Sequence, residues 1–97
     1  MKKEYEFNDI KYTIEKDLDL FDYDLFKDLV TDYFNNYDYI FADEAYNKIR
    51  LKGFCDKTNK IFKKNNDIST LDDYITNYCA YNCKWCLLKK VKPSKNE

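Results

Sequence analysis

Residues 39–54 decide the fold: Tyr39-Ile40-Phe41-Ala42, then Asp43-Glu44-Ala45, then Tyr46-Asn47-Lys48-Ile49-Arg50-Leu51-Lys52-Gly53-Phe54. Tyr39 to Ala42 reads as a short strand, Asp43-Glu44 as an acidic turn, and Tyr46 to Phe54 as a second strand. Side chains alternate between the faces of a strand. Ile49, Leu51 and Gly53 therefore share one face, and Tyr46, Lys48, Arg50, Lys52 and Phe54 share the other. The expectation is that the apolar set turns inward and the cationic-aromatic set turns to solvent.

Upstream, Glu4 to Glu15 alternates around Asn8-Asp9, with Tyr5 and Phe7 before the turn and Ile10, Tyr12 and Ile14 after it. This predicts a β-hairpin, because Asn and Asp tolerate the positive φ that a two-residue turn requires. A helix is expected from about Tyr23 to Asn35, with Asp22 as its N-cap. Phe26, Leu29, Val30, Tyr33 and Phe34 form its buried stripe. Downstream, Cys55 to Asp67 is a polar connection pinned by Ile61 and Phe62. Ser69 is expected to cap a second helix, with Asp72 three residues on and an end near Asn82. Lys84 to Val91 reads as a last strand. The order ββ-α-ββ-α-β predicts an α+β domain, residues 1–92, with one curved, mostly antiparallel sheet carrying two helices. Residues 93–97 are expected to form a flexible polar tail.

An apolar content of 44% among 97 residues, with 36% charged, is enough for a real core and too much for a disordered segment. No apolar run approaches the ~20 residues of a membrane helix, and the N-terminus has no secretory core, so a cytoplasmic protein with reduced thiols is expected. The net charge of −1 conceals an asymmetry: residues 1–46 sum to −8 and residues 47–97 to +7. A basic half can meet an anionic partner, or the two halves can neutralise each other in the fold. Richness in Lys, Asn, Asp and Tyr is what AT-rich coding produces, so lysine and tyrosine abundance does not by itself indicate nucleic-acid binding.

The sequence offers little catalytic chemistry. Histidine is absent, which removes the usual general base near neutral pH, and a single glycine excludes Gly-rich nucleotide loops. Asp43 and Glu44 are adjacent and diverge in extended chain, while Asp72-Asp73 belongs to a helix start. The expectation is a non-enzymatic protein without a cofactor. Cys79, Cys83 and Cys86 have the Cx3Cx2C spacing of radical S-adenosylmethionine enzymes, but only eleven residues follow Cys86 where those enzymes need a large barrel. With Cys55 the three could instead supply four thiolates to zinc, or serve redox sensing. The reading preferred here is four core cysteines and no metal, since Cys79 lies on an apolar helix stripe and Cys86 between apolar strand neighbours.

The remaining signal is the strand at residues 46–54. Cations framed by aromatics suit a partner protein with an acidic surface. The binding residues expected are Asp43, Tyr46, Lys48, Arg50, Lys52 and Phe54. RNA or the ribosome is the alternative partner through the same face. A solvated face with Arg50 paired to Asp43 is the structural reading. No membrane and no small-molecule substrate is indicated.

Several blocks together resemble the YutD-like family of small proteins from Gram-positive bacteria and their wall-less relatives. They are Asp38-Tyr39-Ile40, Asp43, Tyr46, Arg50-Leu51-Lys52-Gly53-Phe54, then Ile68-Ser69-Thr70-Leu71-Asp72-Asp73-Tyr74, Tyr78-Cys79 and Leu88-Lys89-Lys90-Val91. The chain departs from the family pattern around Asp43, with Ala42, Glu44, Ala45 and Asn47 where glycines and an aromatic are usual. The resemblance implies the fold class and a cytosolic location, and it implies no activity.

Overall fold

The computed structural model describes residues 4–45, 48–78 and 84–91. Strand β1 (Glu4–Phe7) turns into β2 (Ile10–Asp17), followed by helix α1 (Tyr23–Leu29) and a 3-10 turn at Asp32–Phe34. Strands β3 (Tyr39–Ala45) and β4 (Lys48–Phe54) come next. Two further 3-10 turns lead into helix α2 (Leu71–Tyr78), and β5 (Trp85–Lys90) completes the described fold. The five strands form one antiparallel sheet in the order β1-β2-β5-β3-β4. The α+β class, the single sheet and the two helices are those expected from the sequence.

Local chemistry explains each element. Asn8 and Asp9 hold φ of 55° and 66°, the left-handed pair that a tight hairpin requires. Tyr5 and Phe7 turn to the same face and pack, with tilted rings, on Phe21 and Tyr23 at 4.7 and 5.3 Å between ring centroids. Asp22 caps α1 as expected, its carboxylate accepting from the Leu25 amide.

The first helix is shorter than the 3.6-residue pattern predicts. It ends at Leu29, and Val30 is extended at φ −83°, ψ 95°. Two β-branched residues, Val30 and Thr31, resist helix continuation. The carbonyl of Val30 accepts instead from the Asn8 side chain in the hairpin turn, at 2.7 Å. Tyr33 and Phe34 therefore belong to a separate turn.

Other boundaries also move. Asp43 and Glu44 are strand residues in β3, paired with Arg50 and Ile49, so the acidic turn expected there is absent. The cap before α2 is Asp67 rather than Ser69. Its carboxylate accepts from the Ser69 amide and hydroxyl, and a 3-10 turn at Ile68–Thr70 feeds the helix. These two bonds hold the Asp67 carboxyl below its usual range. The expected helix end at Asn82 and the tail at 93–97 lie outside the described residues.

Strand β3, held between β5 and β4, is buried, with Ile40, Phe41, Ala42 and Asp43 all inaccessible. Alternation sends Ile40 and Ala42 to one face, where they pack with Phe26, Val30, Cys86 and Leu88 under α1. Phe41 points to the opposite face and meets Tyr74 of α2 edge-on at 5.5 Å. The two helices thus cover opposite faces of the sheet. Among the described residues, no helix is long and apolar enough to cross a membrane.

Candidate functional site

Strand β4 lies at one edge of the sheet, and its two faces have different neighbours. Ile49 and Leu51 lean on the α1-side core. Lys48, Arg50 and Lys52 face the α2 side, where three environments replace the uniform solvent-facing row expected from the sequence. Lys48 is exposed. Arg50 forks onto Asp43 directly across the ladder, Nε donating to Oδ1 at 3.1 Å and an Nη to Oδ2 at 2.5 Å. Asp43 is 2% exposed while the Arg50 side chain remains 49% exposed, so the guanidinium satisfies a buried carboxylate and shows its outer edge to water. Lys52 lies over Phe54 and Tyr74, its ammonium 5.3 and 5.7 Å from their ring centroids.

Phe54 is corrected as a surface residue. It is 0% exposed, packed edge-on to Phe41 and Tyr74 beneath α2. Asp43 is corrected likewise: it is an interior anion whose accessible partner is Arg50. Tyr46 lies outside the described residues. Of the six residues singled out from the sequence, Lys48, Arg50 and Lys52 are accessible.

Sequence reasoning missed what lies beside the strand. A cleft of about 580 Å³ runs along β4, bounded by Tyr33 and Tyr37 on one side and by residues 60–66 on the other. Leu51 and Gly53 form its floor, Lys60 and Lys63 are its ionised side chains, and Lys52 borders it while its ammonium lies over the rings of the opposite face. No carboxylate lines it, and among the described residues none pairs with these three lysines. The Tyr33 and Tyr37 hydroxyls lie 3.3 Å apart. That hydrogen bond, followed by burial, pushes the Tyr37 phenol up to about 12, so it stays neutral. Asn66 braces the far wall, donating to the Ile61 carbonyl and accepting from the Lys63 amide. A second cavity of about 280 Å³ sits on the α2 side, lined by Thr70, Asp73, Tyr74 and Asn77, and it shares Lys52 and Asn65 with the first. The missed signal was the spacing of Lys60 and Lys63 around Ile61, legible only once the 56–67 connection is known to fold back along β4.

The cysteines divide. Cys55 and Cys86 are both buried free thiols. Cys79 and Cys83 lie outside the described residues. Cys86 pairs with Ala42 in β3, while Cys55 follows Phe54, which pairs with Tyr39. At strand spacings the two are about 13 Å apart along the sheet and about 10 Å across it. Sulfurs sharing one tetrahedral zinc sit within about 4 Å of each other. The alternative in which Cys55 and Cys86 join one zinc site is thereby corrected, and among the described residues no cluster of three potential ligands occurs.

Burial raises the Cys55 thiol, and it pushes Cys86 up to about 12 from the ordinary 9.0. Above pH 9 the unfolded chain gains by ionising Cys86 while the folded chain does not. Stability should therefore fall as pH rises from about 9 toward 12, by up to about 1.4 kcal/mol per unit. Denaturant titrations at pH 8, 9 and 10 check this; an equal slope in Cys86→Ala would remove the assignment to that thiol.

The profile of the YutD-like family, described as "Putative antitoxin YutD-like", matches residues 6–89. The chain is 42% identical over 74 residues to "Putative antitoxin YutD" of Bacillus subtilis, covering 76% of this chain and 81% of that protein. The solution NMR structure of B. subtilis YutD superposes with a TM-score of 0.78 at 33% identity, over 97% of this chain and 86% of that one. Profile, sequence identity and shared fold agree across nearly all of the described strands and helices, and the chain belongs to the YutD-like family.

Proposed function

We propose that this protein is a non-catalytic, cytosolic binding module that contacts a partner protein along strand β4. The observation that carries the reading is an edge strand with accessible Lys48, Arg50 and Lys52, bordered by a cleft whose ionised lining is entirely lysine. Complementary charge steers association and selects partners. The B. subtilis relative is named "Putative antitoxin YutD", a name that fits direct contact with a partner.

Arg50 is the wrong residue for a test. Arg50→Glu would set a second carboxylate against the buried Asp43 and disturb the fold. Lys48 and Lys52 pair with no carboxylate among the described residues and are the better probes. In affinity capture from cytosol, wild type should retain a stoichiometric protein through nuclease treatment and about 0.5 M salt, where nucleic-acid contacts weaken steeply. Lys48→Glu/Lys52→Glu should lose that protein while remaining folded, with a Tm lowered only by the loss of the Lys52 contact with the Phe54 and Tyr74 rings, about 0.5–1 kcal/mol. Material absorbing at 260 nm that vanishes with nuclease would replace the reading with RNA binding. Retention by the double variant would move the contact off β4.

A further inference from the structure

Resting on the partner-protein reading above, we infer that the partner contributes an extended acidic segment, which adds as a sixth strand along the open edge of β4.

Main-chain geometry identifies the free groups. In a strand, the N–H and C=O of one residue point to the same side, and successive residues alternate. Phe54 faces β3, its carbonyl accepting from the Asp38 amide at 3.0 Å. Cys55 faces away: its amide donates to the Asn66 carbonyl at 2.7 Å, and its carbonyl accepts from Ile68 at 3.0 Å. Counting back from Cys55 by twos, the outward groups of β4 belong to Gly53, Leu51 and Ile49. They have no backbone partner among the described residues. The 66–68 segment therefore closes this edge at one end only, through a parallel bridge between Cys55 and Asp67.

The two cavities give side-chain specificity. Gly53 abuts Tyr37, which places the larger cleft on the α1 side. The smaller contains Tyr74, which packs on Phe54 on the α2 side. They flank the same strand and share Lys52 and Asn65. A strand added to β4 would send alternate side chains into the two cavities in turn. The larger offers Lys60 and Lys63 beside Tyr33 and Tyr37 with no acid, which suits carboxylates. The smaller sets Lys52 against Asp73 around the Tyr74 ring, a charge-balanced site for an apolar side chain. The segment that fits alternates acidic and apolar residues.

Edge lysines also discourage strand pairing in general, so the test must show pairing and not attraction alone. The probe is a capped Glu-Val-Glu-Val-Glu-Val peptide added to the full chain labelled with ¹⁵N, with Lys-Val-Lys-Val-Lys-Val as control. Expected are amide shifts along residues 48–53 and slowed hydrogen exchange at Ile49, Leu51 and Gly53. The exchange rates of Lys48, Arg50 and Lys52, whose amides already face β3, should change little. Lys60→Glu/Lys63→Glu should weaken binding on the order of tenfold with its spectrum otherwise preserved. Shifts without slowed exchange at those three amides would overturn strand addition. Equal binding of both peptides, or of neither, would overturn the acidic class. Concentration-dependent self-association that the Glu-Val peptide does not displace would make the occupant a second copy, whose β1 carries Glu4 and Glu6, and would also overturn it. If peptide binding fails while Lys48→Glu/Lys52→Glu still loses its captured protein, the inference falls and the partner-protein reading stands.

Discussion

Phe54→Ala is expected to lower the unfolding free energy by about 3–5 kcal/mol, the usual cost of deleting a buried phenylalanine ring. The ring is wholly buried between Phe41 and Tyr74, 6.3 and 5.7 Å away by centroid, and it anchors α2 to the sheet. For a domain of this size the loss corresponds to a fall in Tm of at least about 12 °C. It is also a large share of the roughly 5–15 kcal/mol that holds such domains folded. Thermal and denaturant unfolding measure it, and Tyr74→Ala should be partly redundant with it because the two rings share a contact. A Tm within about two degrees of wild type, combined with weakened partner binding, would return Phe54 to the surface role its sequence position suggested.

Gly53→Ala should cost about 2–3 kcal/mol through overpacking. The reason is room, since no glycine has positive φ here. A β-carbon at residue 53 would lie 2.3, 2.5 and 2.6 Å from three ring carbons of Tyr37, where carbon atoms in contact sit about 3.5–4.0 Å apart. Tyr37 cannot swing away cheaply. Its amide donates to the Phe34 carbonyl at 3.1 Å, its hydroxyl meets Tyr33, and its ring packs against both neighbours. Displacing it moves one wall of the lysine cleft, so binding of the Glu-Val peptide should weaken along with stability. The check is a double-mutant cycle on unfolding free energy: Tyr37→Ala should cost clearly less when combined with Gly53→Ala than it does in wild type. Strict additivity would mean that the contact is relieved elsewhere.

Particular residues show how far the sequence could be read. The Asn8-Asp9 turn, the Asp22 cap and the face parity of Ile49 and Leu51 all depend on interactions within a few residues, and the structure keeps them. The helix predicted through Asn35 failed because a long-range contact, the Asn8 amide on the Val30 carbonyl, competes with helix continuation at a β-branched pair. The turn predicted at Asp43-Glu44 failed because an acid in mid-strand is tolerable once Arg50 stands opposite it. At the site, the accessibility of Lys48, Arg50 and Lys52 follows from alternation. The burial of Phe54, on the same face of the same strand, does not.

By itself the sequence determined the α+β class, the hairpin, the Asp22 cap and the relative facing of side chains along each strand, since backbone periodicity and turn chemistry are local. Only the tertiary structure decided that β5 inserts between β2 and β3, that α2 covers one end of the β4 face, and that the 56–67 connection folds back to bring Lys60 and Lys63 beside Lys52. Those outcomes depend on which distant surfaces bury each other, a choice that alternation along one strand leaves open.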